Sequence, residues 1–300
     1  MAGSPQGTAE GSDRRSRART LMVRVLAGVV LVPVVLSLNY LGGLAFAVFL
    51  GLVTGLGTLE FFRLGPGAGI HPSRLVGVAG SIAVCLSFYW GSLGVSGLVL
   101  TLVVLAVLME RLIRQDVGGY ARAVGMTVLG LVYVGWFMGF FILLRGAVGL
   151  SAPLDRTGGP GAGHWYVLFV LLVTWSYDTL AYVGGLSVGR HRLFTRISPA
   201  KTAEGTASGL AAAAAAALIC KGVFAVFMGW AEALLVGLAL GVAAQAGDLV
   251  ESIVKRSTGA KDSSHLIPGH GGILDRFDSL LFTGPLFYMY LRAISAWTGS

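Results

Sequence analysis

Eight of the fourteen Asp and Glu residues in this chain of 300 fall between Asp178 and Asp278. That concentration is informative because the chain is 55% hydrophobic and only 12% charged. A charged side chain at the centre of a bilayer costs roughly 2.5–3.5 kcal/mol on insertion scales, so a polar island in such a chain has a use. Asp248, in Gln245-Ala-Gly-Asp-Leu-Val-Glu-Ser252, shares one helical face with Ser252 and Lys255 at i, i+4 and i+7. Asp275 and Asp278 return two carboxylates at i and i+3 after a polar loop, and Asp248, Asp275 and Asp278 are expected to converge. Carboxylates gathered in a small volume repel unless a cation neutralises them, and hard oxygen donors suit Mg²⁺ or Mn²⁺. His265 and His270 are the only imidazoles nearby, and they read as phosphate contacts or structural groups rather than zinc ligands.

Other residues in the same region suit anions. Pro268-Gly-His-Gly-Gly272 is too rich in glycine for a regular helix and allows close backbone approach to a phosphate. Upstream, Ser198-Pro is followed by Lys201, Thr202, Glu204 and Gly205 just ahead of an apolar run. Hydroxyls, a cation and a helix N-terminus together favour anion binding. In the same cluster Arg190 and Arg192 read as topology signals. Asp178 lies inside an apolar run, where an unpaired carboxylate is penalised, so a functional role outweighs a buried structural hydrogen bond.

These residues must be held by membrane helices. A mean hydropathy of +0.78 exceeds that of a soluble core and marks a polytopic membrane protein. Windows of about 20 apolar residues predict an all-α transmembrane bundle with nine spans, near 21–38, 41–59, 75–91, 93–109, 124–144, 164–185, 207–227, 231–247 and 279–296. The tail 1–20, with four arginines, is too polar to bury and reads as disordered. The run after it is interrupted by Arg24 and leads into a second span, which favours a retained helix over a signal peptide. Residues 21–160 then form an N-terminal helical region and 161–300 a C-terminal region carrying the polar clusters. Basic residues at 63–74, 111–122, 190–201 and 255–276 place those loops and the tail in the cytoplasm, and the 145–163 loop outside. The expected location is the plasma membrane, with the site facing the cytoplasm. Ala211–Ala217 reads as a close-packing surface, and Cys85 and Cys220 as small core residues.

The net charge of +8 is spread over short loops rather than one face, which argues against nucleic acid as a partner. The G-x-x-x-x-G-K-[ST], G-x-S-x-G and H-E-x-x-H patterns are absent, which removes support for P-loop hydrolysis, serine lipase chemistry and zincin proteolysis. The D-G-x-x-A-R pattern of CDP-alcohol phosphotransferases is missing too. No inverted repeat of broken helices is visible, which counts against an ion-coupled transporter, although Asp178 would suit one.

The run Ser252-x-x-Lys-Arg-x-x-x-x-Lys-Asp-x-x-x-x-x-Pro-Gly-His-Gly-Gly-x-x-Asp-Arg-x-Asp278 resembles the signature of the phosphatidate cytidylyltransferases, the CDP-diacylglycerol synthases. Gly247-Asp-Leu249 with Glu251-Ser252, Ser198-Pro-Ala-Lys-Thr-Ala-Glu-Gly205 and Asp178-Thr-Leu-Ala-Tyr182 resemble that family in order and spacing. The likeness covers roughly 174–281 and departs at Ala200, where a second lysine is usual, and at Ala203, where an aromatic is usual. It implies cytidylyl transfer from CTP to phosphatidate within the bilayer, releasing pyrophosphate. By the same resemblance, Asp248 and Asp275 hold the metal, Asp278 supports it, and Lys201 and Lys255 complete the catalytic set. Ser198, Thr202, Glu204, Arg256, Lys261, Asp262, His270, Gly271, Gly272, Arg276 and Asp178 are the expected substrate contacts. There is room for a second, monovalent cation beside the divalent one. An isoprenoid lipid phosphate or lipid alcohol is the alternative substrate, and a homodimer is one option for the assembly.

Overall fold

The computed structural model describes residues 31–115, 117–146, 162–260 and 272–297. Ten α-helices are described: α1 (Leu31–Leu41), α2 (Gly43–Arg63), α3 (Arg74–Ser87), α4 (Leu93–Ile113), α5 (Tyr120–Gly130), α6 (Phe137–Gly146), α7 (Ala162–Val188), α8 (Ala203–Val223), α9 (Trp230–Ser257) and α10 (Leu274–Trp297). A π-helical segment, Leu131–Trp136, joins α5 to α6 without a break in direction. The strands among the described residues form one two-stranded antiparallel hairpin, β1 (Arg192–Phe194) and β2 (Ser198–Thr202), between α7 and α8.

Among the described residues, six helical stretches are long and apolar enough to cross a membrane: Gly43–Ala68, Leu93–Ile113, Tyr120–Gly146, Gly163–Val188, Ala203–Val223 and Trp230–Ser257. That is the character of a multi-pass membrane protein. Of the nine expected spans, the one near 21–38 begins outside the described residues, the helix at Arg74–Trp90 is short, and α10 interrupts its apolar run with Pro285 and Arg292.

Helices α7, α8, α9 and α10 pack in sequence, and α10 also touches α2 and α6. Between helices in lipid there is little hydrophobic driving force, so association rests on close van der Waals packing of small residues. The alanine run shows this, with Ala213 and Ala217 fully buried against α9 at Gly237, so its reading as a packing surface holds. Phe61, Phe62, Phe88, Phe169 and Phe287 fill the interior, with the Phe169 and Phe287 rings stacked 5.1 Å apart. By contrast α4 lies at the edge, with Leu98, Leu102, Leu105 and Met109 turned outward.

Local sequence sets the helix starts. Thr202 caps α8, its hydroxyl accepting the Gly205 N–H at 3.1 Å. Glu232 reaches back to the Gly229 N–H at 2.7 Å to begin α9. Each interaction satisfies a backbone donor that the first helical turn leaves orphaned.

Candidate active site

The helices α9 and α10 meet backbone to backbone at Gly247. A β-carbon there would lie within 3.0 Å of the Asp278 carbonyl carbon and the Ser279 α-carbon. This contact sets the carboxyl-bearing Asp248 beside the first turns of α10. Asp248 is partly exposed, forms an ion pair with Lys201 Nζ at 2.7 Å, and lies 3.4 Å from the Ser252 hydroxyl. The expected helical face of Asp248, Ser252 and Lys255 is present on one continuous α9.

Lys255 is the hinge between the two helix ends. Its Nζ lies 2.7 Å from Asp275 Oδ1 on α10 and 3.1 Å from Glu251 Oε2 one turn back on α9. The other Asp275 oxygen, Oδ2, accepts the Gly272 N–H at 2.7 Å, which fixes the chain as it enters α10. Asp275 stands ahead of the apolar part of α10. Burial pushes its carboxyl up, but hydrogen bonds with Glu251 and Lys255 and from the Gly272 N–H outweigh burial and hold it at about 2. Asp278 is buried and accepts the Ser279 N–H at 2.7 Å.

A polar ladder leads from the middle of α7 to this cluster. Thr174 donates to Thr283 at 3.1 Å, Tyr177 to Gln245 Oε1 at 2.8 Å, and the Ser279 hydroxyl to Asp178 Oδ1 at 3.2 Å. Asp178 is therefore tied to α10 while its surface stays open on α7. The Ser279 bond sets it next to the turn of α10 that carries Asp278.

The hairpin brings the second sequence cluster to the first. β2 carries Ser198 and Lys201, and the Lys201–Asp248 pair fastens it to α9. Thr202 spends its hydroxyl on the α8 cap. Glu204 accepts the Arg190 N–H at 3.0 Å and pairs with His191 Nδ1 at 2.6 Å, so it closes the base of the hairpin. Arg256 and Arg276 are exposed around the cluster. Lys261, Asp262, His265, His270 and Gly271, with Pro268 and Gly269, lie outside the described residues.

Three residues of this neighbourhood were given no role by the sequence reading. Glu251 is buried, and its Oε1 has no hydrogen-bond partner among the described residues. Its signal was available, since it stands at i+3 from Asp248 and i−4 from Lys255 on a helix. Glu60, fully buried at the end of α2, accepts the Leu274 N–H at 2.8 Å. An acid closing an apolar run was the clue there. Tyr133, in the π-helical segment, is buried, its hydroxyl has no hydrogen-bond partner among the described residues, and it lies within reach of the charges of Asp278, Glu251, Asp248 and Asp275. Nothing in its local sequence distinguishes it from a core tyrosine.

The carboxyl groups of Asp178, Asp248, Glu251, Asp275 and Asp278 thus outnumber the two half-buried lysines among them, Lys201 and Lys255. An all-oxygen acidic donor set with a buried, unpartnered carboxyl oxygen fits a hard divalent cation. No group of three or more His, Cys, Asp or Glu side chains among the described residues forms a ready-made cage. Mg²⁺ in particular is usually held by one or two carboxylates plus substrate phosphates and water, so such a cage is not required.

The cytidylyltransferase family pattern matches residues 22–294. The chain is 34% identical over 282 residues to phosphatidate cytidylyltransferase of Bacillus subtilis (strain 168), an alignment covering 91% of this chain and 98% of the other. It is 34% identical over 306 residues to phosphatidate cytidylyltransferase 4, chloroplastic, of Arabidopsis thaliana, covering 93% and 75%. It is also 41% identical over 167 residues to the uncharacterized protein YnbB of Escherichia coli (strain K12), covering 56% and 55%. With the family pattern spanning nearly its whole length, the chain belongs to the cytidylyltransferase family of nucleotide-transferring enzymes.

Proposed function

We propose that this protein transfers the cytidylyl group of CTP to phosphatidate, forming CDP-diacylglycerol and pyrophosphate, at the cytoplasmic face of the plasma membrane. The observation that carries the reading is the meeting of Asp248, Lys255 and Asp275 at adjoining helix ends with Lys201 from the hairpin alongside. Opposite charges there suit a reaction between two anions. Relatives named phosphatidate cytidylyltransferase support the choice of lipid.

The substrate brings its own nucleophile. A phosphate oxygen of phosphatidate forms a bond to the α-phosphorus of CTP while the bond from that phosphorus to the bridging oxygen breaks, and pyrophosphate leaves with the electron pair. The protein needs no activated Ser or Cys, and its task is to orient two anions against their repulsion. Asp248 and Asp275 would hold Mg²⁺ or Mn²⁺, which supplies positive charge against the triphosphate. Asp278 supports that pair from its buried position, and Glu251 keeps Lys255 in place. Lys201 and Lys255 add fixed positive charge toward the triphosphate and the lipid phosphate, with Arg256 and Arg276 at the rim. Asp178, open on α7 and tied to Ser279, would contact the substrate from within the membrane-spanning part of that helix.

The test uses purified protein in nanodiscs with labelled CTP, Mg²⁺ and either phosphatidate or a polyprenyl phosphate. CDP-diacylglycerol and pyrophosphate are expected with phosphatidate. Product with the polyprenyl phosphate alone would reassign the lipid, and no pyrophosphate with either would end the proposal. Asp248→Asn and Asp275→Asn are expected to abolish turnover while leaving the protein inserted and folded. Near-parent turnover in either variant would remove the metal assignment.

A further inference from the structure

The helix ends that carry Lys255 and Asp275 both rest against one segment of the N-terminal half. At the α10 end, the fully buried Glu60 of α2 accepts the Leu274 N–H at 2.8 Å, across 214 positions of sequence. Leu274 is the first residue of α10 and immediately precedes Asp275. At the α9 end, the 3-10 turn Gly65–Ala68 that follows α2 lies against the C-cap of α9, where a β-carbon at Gly67 would stand 2.8 Å from the Thr258 carbonyl oxygen. Thr258 is buried and stands three positions beyond Lys255. Gly57, also on α2, comes within reach of the Leu274 side chain.

The energetic logic favours a positioning role. The first N–H groups of a helix have no partner within it, so the end of α10 needs an acceptor from elsewhere, and an acidic group suits the positive end of the helix. A free rotation of α10 about its axis would carry Asp275 away from Lys255, and Glu60 opposes that movement through a backbone atom one residue away. From the bond to Leu274 and the Gly67–Thr258 contact, we infer that Glu60 is a positioning residue for the active site. It holds the Asp275 turn of α10 in register with the Lys255 turn of α9. The inference rests on the cytidylyltransferase reading above. It makes the N-terminal helices part of the catalytic apparatus rather than an anchor alone.

Glu60→Ala and Glu60→Gln are compared with the parent in the nanodisc assay, with thermal unfolding measured in parallel. Glutamine keeps a carbonyl oxygen for the Leu274 N–H at nearly the same volume, whereas alanine does not. Because a misplacement of about 1 Å costs on the order of 10²-fold, Glu60→Ala is expected to lose more than about tenfold in kcat. The KM for CTP should stay within about threefold, and Glu60→Gln should recover kcat to within about threefold of the parent. Alanine turnover at half the parent rate or better would overturn the inference. So would equal losses in kcat for both variants that track their losses in unfolding temperature, since that is the pattern of a purely structural residue. Should Glu60→Ala fail to fold, Gly67→Val decides, because its side chain presses on the Thr258 carbonyl. A fall in kcat at constant KM supports the inference, and an unchanged kcat overturns it. A parent that makes no CDP-lipid would instead refute the functional reading itself.

Discussion

Substituting Gly247 with alanine tests whether the approach of α9 to α10 builds the site. The added methyl would come within 3.0 Å of the Asp278 carbonyl carbon and the Ser279 α-carbon, whereas ordinary contact begins at 3.4 Å. The obstructing atoms are backbone, so no side chain can swing aside and the helices must part by several tenths of an ångström or more. Overpacking of this kind costs about 1–3 kcal/mol of stability. The effect on turnover is larger, because Asp248 adjoins the displaced residue and must keep its distance from Asp275. A displacement approaching 1 Å at reacting groups costs on the order of 10²-fold in rate. The control is Gly237→Ala, on the same helix and about 15 Å away along its axis. Its methyl would stand 2.6 Å from Ala217 Cβ and 2.9 Å from the Ala213 carbonyl oxygen on α8. Pyrophosphate release and the unfolding midpoint are measured for both variants in nanodiscs. Comparable midpoint losses with a far greater rate loss for Gly247→Ala are expected. If Gly247→Ala stays within threefold of the parent rate, or Gly237→Ala loses as much, the helix contact is not what sets the site.

Lys255→Met keeps the length of the side chain but leaves Glu251 and Asp275 facing each other without their shared cation. Turnover should fall by at least about 10²-fold, with a lower unfolding midpoint, since the buried Glu251 is left without its cation. Parent-like activity would show that Lys255 plays no part in the chemistry. Thr202→Ala removes the α8 cap and should cost about 1 kcal/mol of stability by thermal unfolding. Its rate should change by less than threefold if the hydroxyl serves the cap alone, and a loss beyond tenfold in folded protein would give it a substrate contact. Tyr133→Phe deletes a buried hydroxyl that has no partner among the described residues, so the unfolding midpoint should stay level or rise. A clear drop would mean that the hydroxyl makes a stabilising bond in the membrane.

Membrane character was legible in composition because long apolar runs leave a chain few places to go other than a bilayer. Helix α9 was legible in its chemistry as well. Asp248, Ser252 and Lys255 keep their helical spacing whatever surrounds them, and the structure places them on one face. Less legible was the number of helices long and apolar enough to cross, since a window does not register the shortness of Arg74–Trp90, and Pro285 and Arg292 make α10 less apolar than the other long helices. The hairpin at Ser198–Thr202 was hidden for another reason. Its short strands carry no alternating pattern, and the register comes from pairing with Arg192–Phe194.

By itself the sequence determined which residue types this protein can bring to bear: an acidic cluster, lysines at defined helical offsets and hydroxyls ahead of a helix. Those properties are local, set by spacing along a chain whose helical geometry is known in advance. Only the tertiary structure decided the partners. Lys255 bridges Glu251 and Asp275, Lys201 joins Asp248, and Glu60 reaches Leu274 across most of the chain. Such pairings depend on how closely helices approach, and that distance is set by small residues such as Gly247, whose role is invisible until a second backbone lies against it.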